Sequence, residues 1–151
     1  MLFLQVYIDQ DRYIINTSYI VAVIPLVNMH KMREVPDYMV GLINYKGQTI
    51  PVVDLCKLLS GKKSKARLST RIVLVNYLHA GKQHITLGFV AEKATDVVKV
   101  NQDDFTPSMI HNRSAPYLGP IANDSEGMLQ EIDMEKLIDL KVRDYLDFQA
   151  A

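Results

Sequence analysis

The chain holds one cysteine, Cys56, so no internal disulfide can form and a reducing compartment suits it. It has no tryptophan. It also lacks any run approaching the ~18–20 apolar residues a membrane-spanning helix needs. The opening MLFLQVYIDQD has no basic flank, and Gln5, Asp9 and Asp11 interrupt its apolar stretch, so it does not read as a secretory signal. These absences predict a cytoplasmic protein without direct membrane insertion. An excess of one charge is missing too. Seventeen basic residues cancel seventeen acidic ones, which removes any bulk attraction to nucleic acid or to an anionic surface.

Motifs of reaction chemistry are equally scarce. There is no G-x-S-x-G elbow, no G-x-G-x-x-G and no complete phosphate loop; Gly61-Lys62-Lys63-Ser64 shares only the end of one. His30, His79, His84 and His111 have no metal-ligand spacing, and Cys56 has no histidine close in sequence. Asp103-Asp104 reads as a solvated turn. No catalytic residue, metal or cofactor is expected, and the chain reads as a binding module.

What is present is apolar bulk and many short strands. Apolar residues make up 48% of the 151-residue chain, enough for one domain spanning 1–151 with a sizeable core. Phe3–Ile8 and Arg12–Asn16 read as a hairpin around a polar turn, and Ser18–Ile24 as a β-branched strand stopped by Pro25. Pro36–Val40 reads as one helical turn. Gln48–Val53 reads as a strand whose Pro51 suits an edge. Asp54 then caps a short helix that Gly61 ends. Thr70–Leu78 and Gln83–Val90 form a hairpin, a second turn leads into a strand over Ala94–Val100, and Leu118–Ala122 pairs with Met128–Ile132. Met134, Leu137, Ile138, Val142, Tyr145 and Leu146 follow helical spacing behind Asp133. The pattern predicts an all-β barrel or sandwich with short helices and a C-terminal helix.

Charge is unevenly spread. Residues 55–91 carry seven basic residues and no acid. One functional reading of this is a single-stranded nucleic-acid-binding β-barrel using the basic segment 57–71. Against it, the aromatics nearby, Tyr77 and Phe89, fall inside strands.

The most informative stretch is GLINYKGQTIPVVDL, Gly41 to Leu55. Gly41 and Gly47 bracket LINYK, and glycine permits positive φ or close backbone approach. Asn44 is a turn former, and Lys46 projects from the tip of the turn. This run resembles the signature of CheW-like domains, approximately G-x-x-N-L-R-G-x-x-[VI]-P-[VI]-x-D-L. Gly41, Asn44, Gly47, Ile50, Pro51, Val52, Asp54 and Leu55 match it, with Lys46 in the arginine place. The similarity extends through ATDVVKV, Tyr117-Leu118-Gly119 and IDMEKLI.

The resemblance implies two interlocked five-stranded β-barrel subdomains with a hydrophobic groove between them. It implies a non-catalytic scaffold whose partners are the cytoplasmic hairpin tip of a chemoreceptor and the regulatory domain of a CheA-type histidine kinase, in receptor arrays at the membrane. The partner-binding positions it carries over are Ile20 and Val23 on a groove-lining strand and Asn44, Tyr45, Lys46 and Gly47 at the turn. Lys46 keeps the charge of the family's arginine but not its bidentate fork. Ala22 stands where relatives often have an acid, and Pro25 where glycine is common. These departures imply a dedicated partner. RLSTR (Arg67–Arg71) and SAPYLGP (Ser114–Pro120) resemble the coupling proteins of Wsp-type surface-sensing pathways, whose output is a diguanylate cyclase.

Overall fold

The computed structural model describes residues 1–107 and 113–146; His111 lies outside them. Among the described residues, nine strands and two short α-helices follow in the order β1 (Leu2–Ile8), β2 (Asp11–Asn16), β3 (Ile20–Pro25), β4 (Met39–Tyr45), β5 (Gln48–Asp54), α1 (Leu55–Ser60), β6 (Arg71–His79), β7 (Gln83–Lys99), β8 (Leu118–Asp124), β9 (Gly127–Ile132) and α2 (Met134–Lys141).

The 17-residue strand β7 joins two five-stranded sheets. Its first half pairs with β6 and β5, giving the order β3-β6-β7-β5-β4. Its second half pairs with β1, giving β7-β1-β2-β9-β8. In the second sheet β2 runs parallel to β9, with Ile14 opposite Glu131. Each sheet is brought close to a barrel by one isolated bridge between its ends. His30, just past β3, exchanges two backbone hydrogen bonds with Leu42 of β4, at 2.9 and 2.7 Å. Thr106, past β7, does the same with Ile121 of β8, at 2.8 and 3.0 Å. Both bridges occupy edge groups that would otherwise invite another strand.

Strand alternation then divides the core into three. Ile43, Ile50, Val52, Ile72 and Leu74 fill the first barrel. Phe3, Ile14, Val100, Ala122 and Leu129 fill the second. The largest cluster lies on the opposite faces of the same strands, between the barrels. There Leu4, Val6, Val73, Val75, Leu87 and Phe89 meet Leu137 and Ile138 of α2. On β6, Ile72 and Leu74 point into the barrel while Val73 and Val75 point between barrels, so one strand builds two cores.

Several sequence expectations are met for local reasons. Asp54 caps α1, accepting from Lys57 N at 3.2 Å, and Gly61 ends it with φ of 78°. Asp133 caps α2, accepting from Lys136 N at 3.1 Å. Pro51 suits an edge by its sequence, but β5 lies between β4 and β7; the proline is accommodated because it sits opposite Leu42, one residue before the parallel ladder to β7 begins at Val52.

Others are corrected. Pro36–Val40 is not a helical turn. Met39 N bonds back to Pro36 O at 2.9 Å, and Met39 opens β4. LINY is therefore strand, and only Lys46-Gly47 turns. The second turn expected after Val90 is a bulge inside β7, where Lys93 takes φ of 50° and the register against β1 shifts between Gln5 and Tyr7. The C-terminal α-helix ends at Lys141, and Arg143–Tyr145 continues as a single 3₁₀ turn.

Candidate partner-binding surface

The β4–β5 hairpin closes with two residues, Lys46 at φ of 51° and Gly47 at 80°. Positive φ at both is the geometry that matches the right-handed twist of the flanking strands. Gly47 N donates to Asn44 Oδ1 at 3.1 Å, which fixes the turn from below. Lys46 Nζ stands 5.3 Å from the centroid of the Tyr45 ring, and that ring packs against the core of the first barrel. Asn44, Lys46 and Gly47 are exposed. Lys46 forms no ion pair among the described residues. The tip thus presents one cation on a rigid stem. Gly41 meets a different demand. A Cβ there would stand 2.6 Å from Met29 Cβ and 2.9 Å from His30 O, so this glycine admits the segment that bridges to β4.

Ile20 and Val23 lie on β3, an edge of the same barrel. Three residues apart, they would face opposite ways on a regular strand. The register prevents that: Ile20 pairs with Val75 and Val23 with Val73, because Val21 is inserted between them as a bulge. Val73 and Val75 belong to the core between the barrels, so Ile20 and Val23 share that face. Ile20 is half-buried against it, while Val23 remains 37% exposed. The structure brings these two residues onto one face of β3 and places the Lys46 tip on a separate hairpin, β4–β5. The spacing rule applied to the sequence does not reveal the shared face, since a bulge leaves no composition signal. It also does not reveal that Val21 is 54% exposed.

The basic segment 57–71 runs from within α1 through a shaped loop to the first residue of β6. Ser64 donates to buried Asp54 twice, from N to Oδ2 at 3.0 Å and from Oγ to Oδ1 at 2.6 Å. Thr70 Oγ1 donates to Lys65 O. No aromatic residue lies in 57–71, so the segment has no platform on which a base would stack. The nucleic-acid reading loses its support.

The buried reactive groups have structural partners. Burial pushes the Cys56 thiol up to about 12, and neighbouring Glu92, 3.3 Å from Sγ, adds to this. Such a thiol stays protonated and inert. Burial, with the hydrogen bond to Asp139, also pushes Tyr77 up to about 12 and ties α2 to β6. Tyr38 Oη donates to Lys141 O at 2.6 Å and ties the end of α2 to the segment before β4. Among the described residues no group of three His, Cys, Asp or Glu side chains is placed to hold a metal ion. No helix among them is long and apolar enough to cross a membrane.

A pair of joined barrels with a core between them, an open edge strand and a charged hairpin tip defines a double-barrel binding domain. The sequence profile of the CheW-like domain matches residues 2–142, and the chain belongs to that family. It is 22% identical over 134 residues to the chemotaxis protein CheW of Bacillus subtilis, covering 87% of this chain and 83% of that one. It is 21% identical over 133 residues to the chemotaxis protein CheV3 of Helicobacter pylori, covering 84% of this chain but 41% of the longer relative. The crystal structure of the scaffolding protein TtCheW from Thermoanaerobacter tengcongensis superposes with a TM-score of 0.77 at 21% identity, over 91% of this chain and 86% of that one. The fold expected from the resemblance, two interlocked five-stranded barrels, agrees with the two barrel-like five-stranded sheets that share β7.

Proposed function

We propose that this chain is a non-catalytic cytoplasmic scaffold that couples a chemoreceptor's cytoplasmic hairpin tip to a CheA-type histidine kinase. The observation that carries the reading is the β3 edge. There a bulge places Ile20 and Val23 on one face, beside the core between the barrels, in a chain of the CheW-like family. An apolar edge suits the apolar side of a helical hairpin, and the Lys46 tip with Asn44, Tyr45 and Gly47 supplies a second, charged contact. Coupling then needs no chemistry. A scaffold that binds two kinase-coupled receptor states with different affinity shifts their populations. RLSTR and SAPYLGP favour an output through a diguanylate cyclase, and Ala22 and Pro25 favour a receptor of its own.

The test is co-purification of the full chain with a receptor signalling hairpin and a kinase regulatory domain. Val23→Glu is expected to weaken receptor binding roughly tenfold or more, as for a buried interface anchor. Lys46→Asn removes the charge but suits positive φ as well as lysine does, so the fold is kept while binding weakens by a few-fold. Loss of neither interaction in the two folded variants would remove both surfaces from the role.

A further inference from the structure

We propose that the loop between α1 and β6, with the cleft it borders, is a docking site for an acidic peptide segment of another protein that carries leucine-like side chains at helical spacing. The site is separate from the surfaces assigned above, since Ile20, Val23 and Lys46 do not line it.

The loop supplies the charge. Lys62, Lys63, Lys65 and Arg67 are exposed. Asp9, Asp11 and Glu92 share a polar recess with Lys62, Lys63 and Lys65, while Arg67 lies outside that recess and Lys63 also reaches the wall of the apolar cleft. Their one ion pair among the described residues is Lys62 with Asp9, at 4.0 Å between two exposed groups. Cations on a floppy loop would be a solvated tract, but this loop is pinned at three places. Ser64 is held by Asp54, Arg67 N donates to Thr70 Oγ1 at 3.2 Å, and Ala94 N donates to Ser69 O at 3.2 Å. The backbone that carries the cations is therefore held in place. Preorganisation of this kind lowers the ordering cost of binding.

The cleft supplies the apolar part. It measures about 700 Å³ and has Leu26, Val27, Met29, Val40 and Val90 in its lining, with Lys63 and Ser64 of the loop on its wall and Asp54, whose carboxylate accepts from Ser64, at its buried side. Val27 is 46% exposed, and at the far end of the loop Leu68 is 99% exposed. A fully exposed leucine on a held backbone costs solvation in the free protein and gains burial only against a partner.

Charge and shape together select the occupant. Carboxylates complement the lysines, and side chains of leucine size complement the cleft, as in helix-in-groove recognition. Nucleic acid lacks a stacking surface here, since none of these residues is aromatic. A bilayer is flat, and most of the apolar residues line a concavity that it cannot enter.

The test uses the full chain and a fluorescein-labelled 18-residue peptide of glutamate and alanine with leucine at i, i+4 and i+7. The controls are the same peptide with alanine for leucine, a thymidine oligonucleotide and phosphatidylglycerol vesicles. Saturable binding in the micromolar range is expected, falling roughly tenfold for Lys63→Gln with Lys65→Gln, for Val27→Asp and for the leucine-free peptide. Neither lysine side chain takes part in the bonds that hold the loop, so the glutamine pair is expected to keep the wild-type melting temperature. Val23→Glu is expected to bind the peptide normally, which separates this site from the receptor-facing edge. No saturable binding, equal binding of the leucine-free peptide, or tighter binding of the oligonucleotide or vesicles would overturn the proposal.

Discussion

Asp124 shows what a single residue contributes and how pH reads it. Arg12 holds it with two parallel hydrogen bonds, Nη1 to Oδ1 at 2.8 Å and Nη2 to Oδ2 at 2.6 Å. The guanidinium keeps the carboxylate down at about 2, against an ordinary value of 3.8. A depressed carboxylate stabilises the fold above its unfolded value and loses that contribution as pH falls through its folded value. The difference in stability between wild type and Asp124→Asn is therefore expected to be full at neutral pH and to vanish between about pH 4 and pH 2. Its size should be about 0.5–1 kcal/mol, because the carboxylate is partly exposed and screened. Urea unfolding at a series of pH values measures both. Legibility at this scale follows sequence distance. The caps Asp54 and Asp133 and the turn residues Asn44 and Gly47 are readable because their partners lie within a few residues. The Arg12–Asp124 pair, 112 residues apart, is visible only once β2, β8 and β9 are assembled.

Elements were legible where a side-chain period marks them and illegible where a backbone irregularity does. The hairpin of β6 and β7 stands out as a β-branched run with a glycine turn. The full length of β7 does not, because Ala91-Glu92-Lys93 has the composition of a turn and becomes a bulge only by pairing with β1. The same holds for Val21, whose insertion turns Ile20 and Val23 to one face. β4 was hidden by Gly41 inside it and by Gly47 just past its end. Gly41 is there because His30 must reach Leu42, and this yields a sharp expectation. Gly41→Ala should cost about 1–3 kcal/mol, the range for overpacking, since the added methyl meets Met29 Cβ and His30 O. Hydrogen exchange should show the loss first at the His30 and Leu42 amides, whose mutual bonds close the barrel. Equal protection there in wild type and variant would contradict the account.

The whole molecule is held by what lies between its barrels more than by what lies within them. Leu4, Val73, Phe89 and α2 meet there, and the helix contributes Leu137, which is fully buried. Leu137→Ala is expected to cost about 2–5 kcal/mol. Because β7 belongs to both sheets, the loss should appear as one shifted transition, with tyrosine fluorescence and far-UV circular dichroism unfolding together. Two separated transitions would mean that the barrels are independent. That a chain of this pattern forms a barrel or sandwich was readable from its strands and turns, and the resemblance of Gly41–Leu55 to CheW-like domains narrowed this to barrels. That its main core lies outside both barrels was not, because alternation along a strand marks two faces without saying what covers each.

The parallel pairing of β2 with β9 has a consequence in time. Ile14 leaves the ribosome 117 positions ahead of its neighbour Glu131. At a synthesis rate of about 5–20 residues per second, the first hairpin waits on the order of ten seconds for the strand that completes its sheet. The first barrel draws on residues 20–91 and is fully synthesised well before that. Birth order thus favours a nascent chain whose first barrel is already shaped while its opening strands still lack a neighbour.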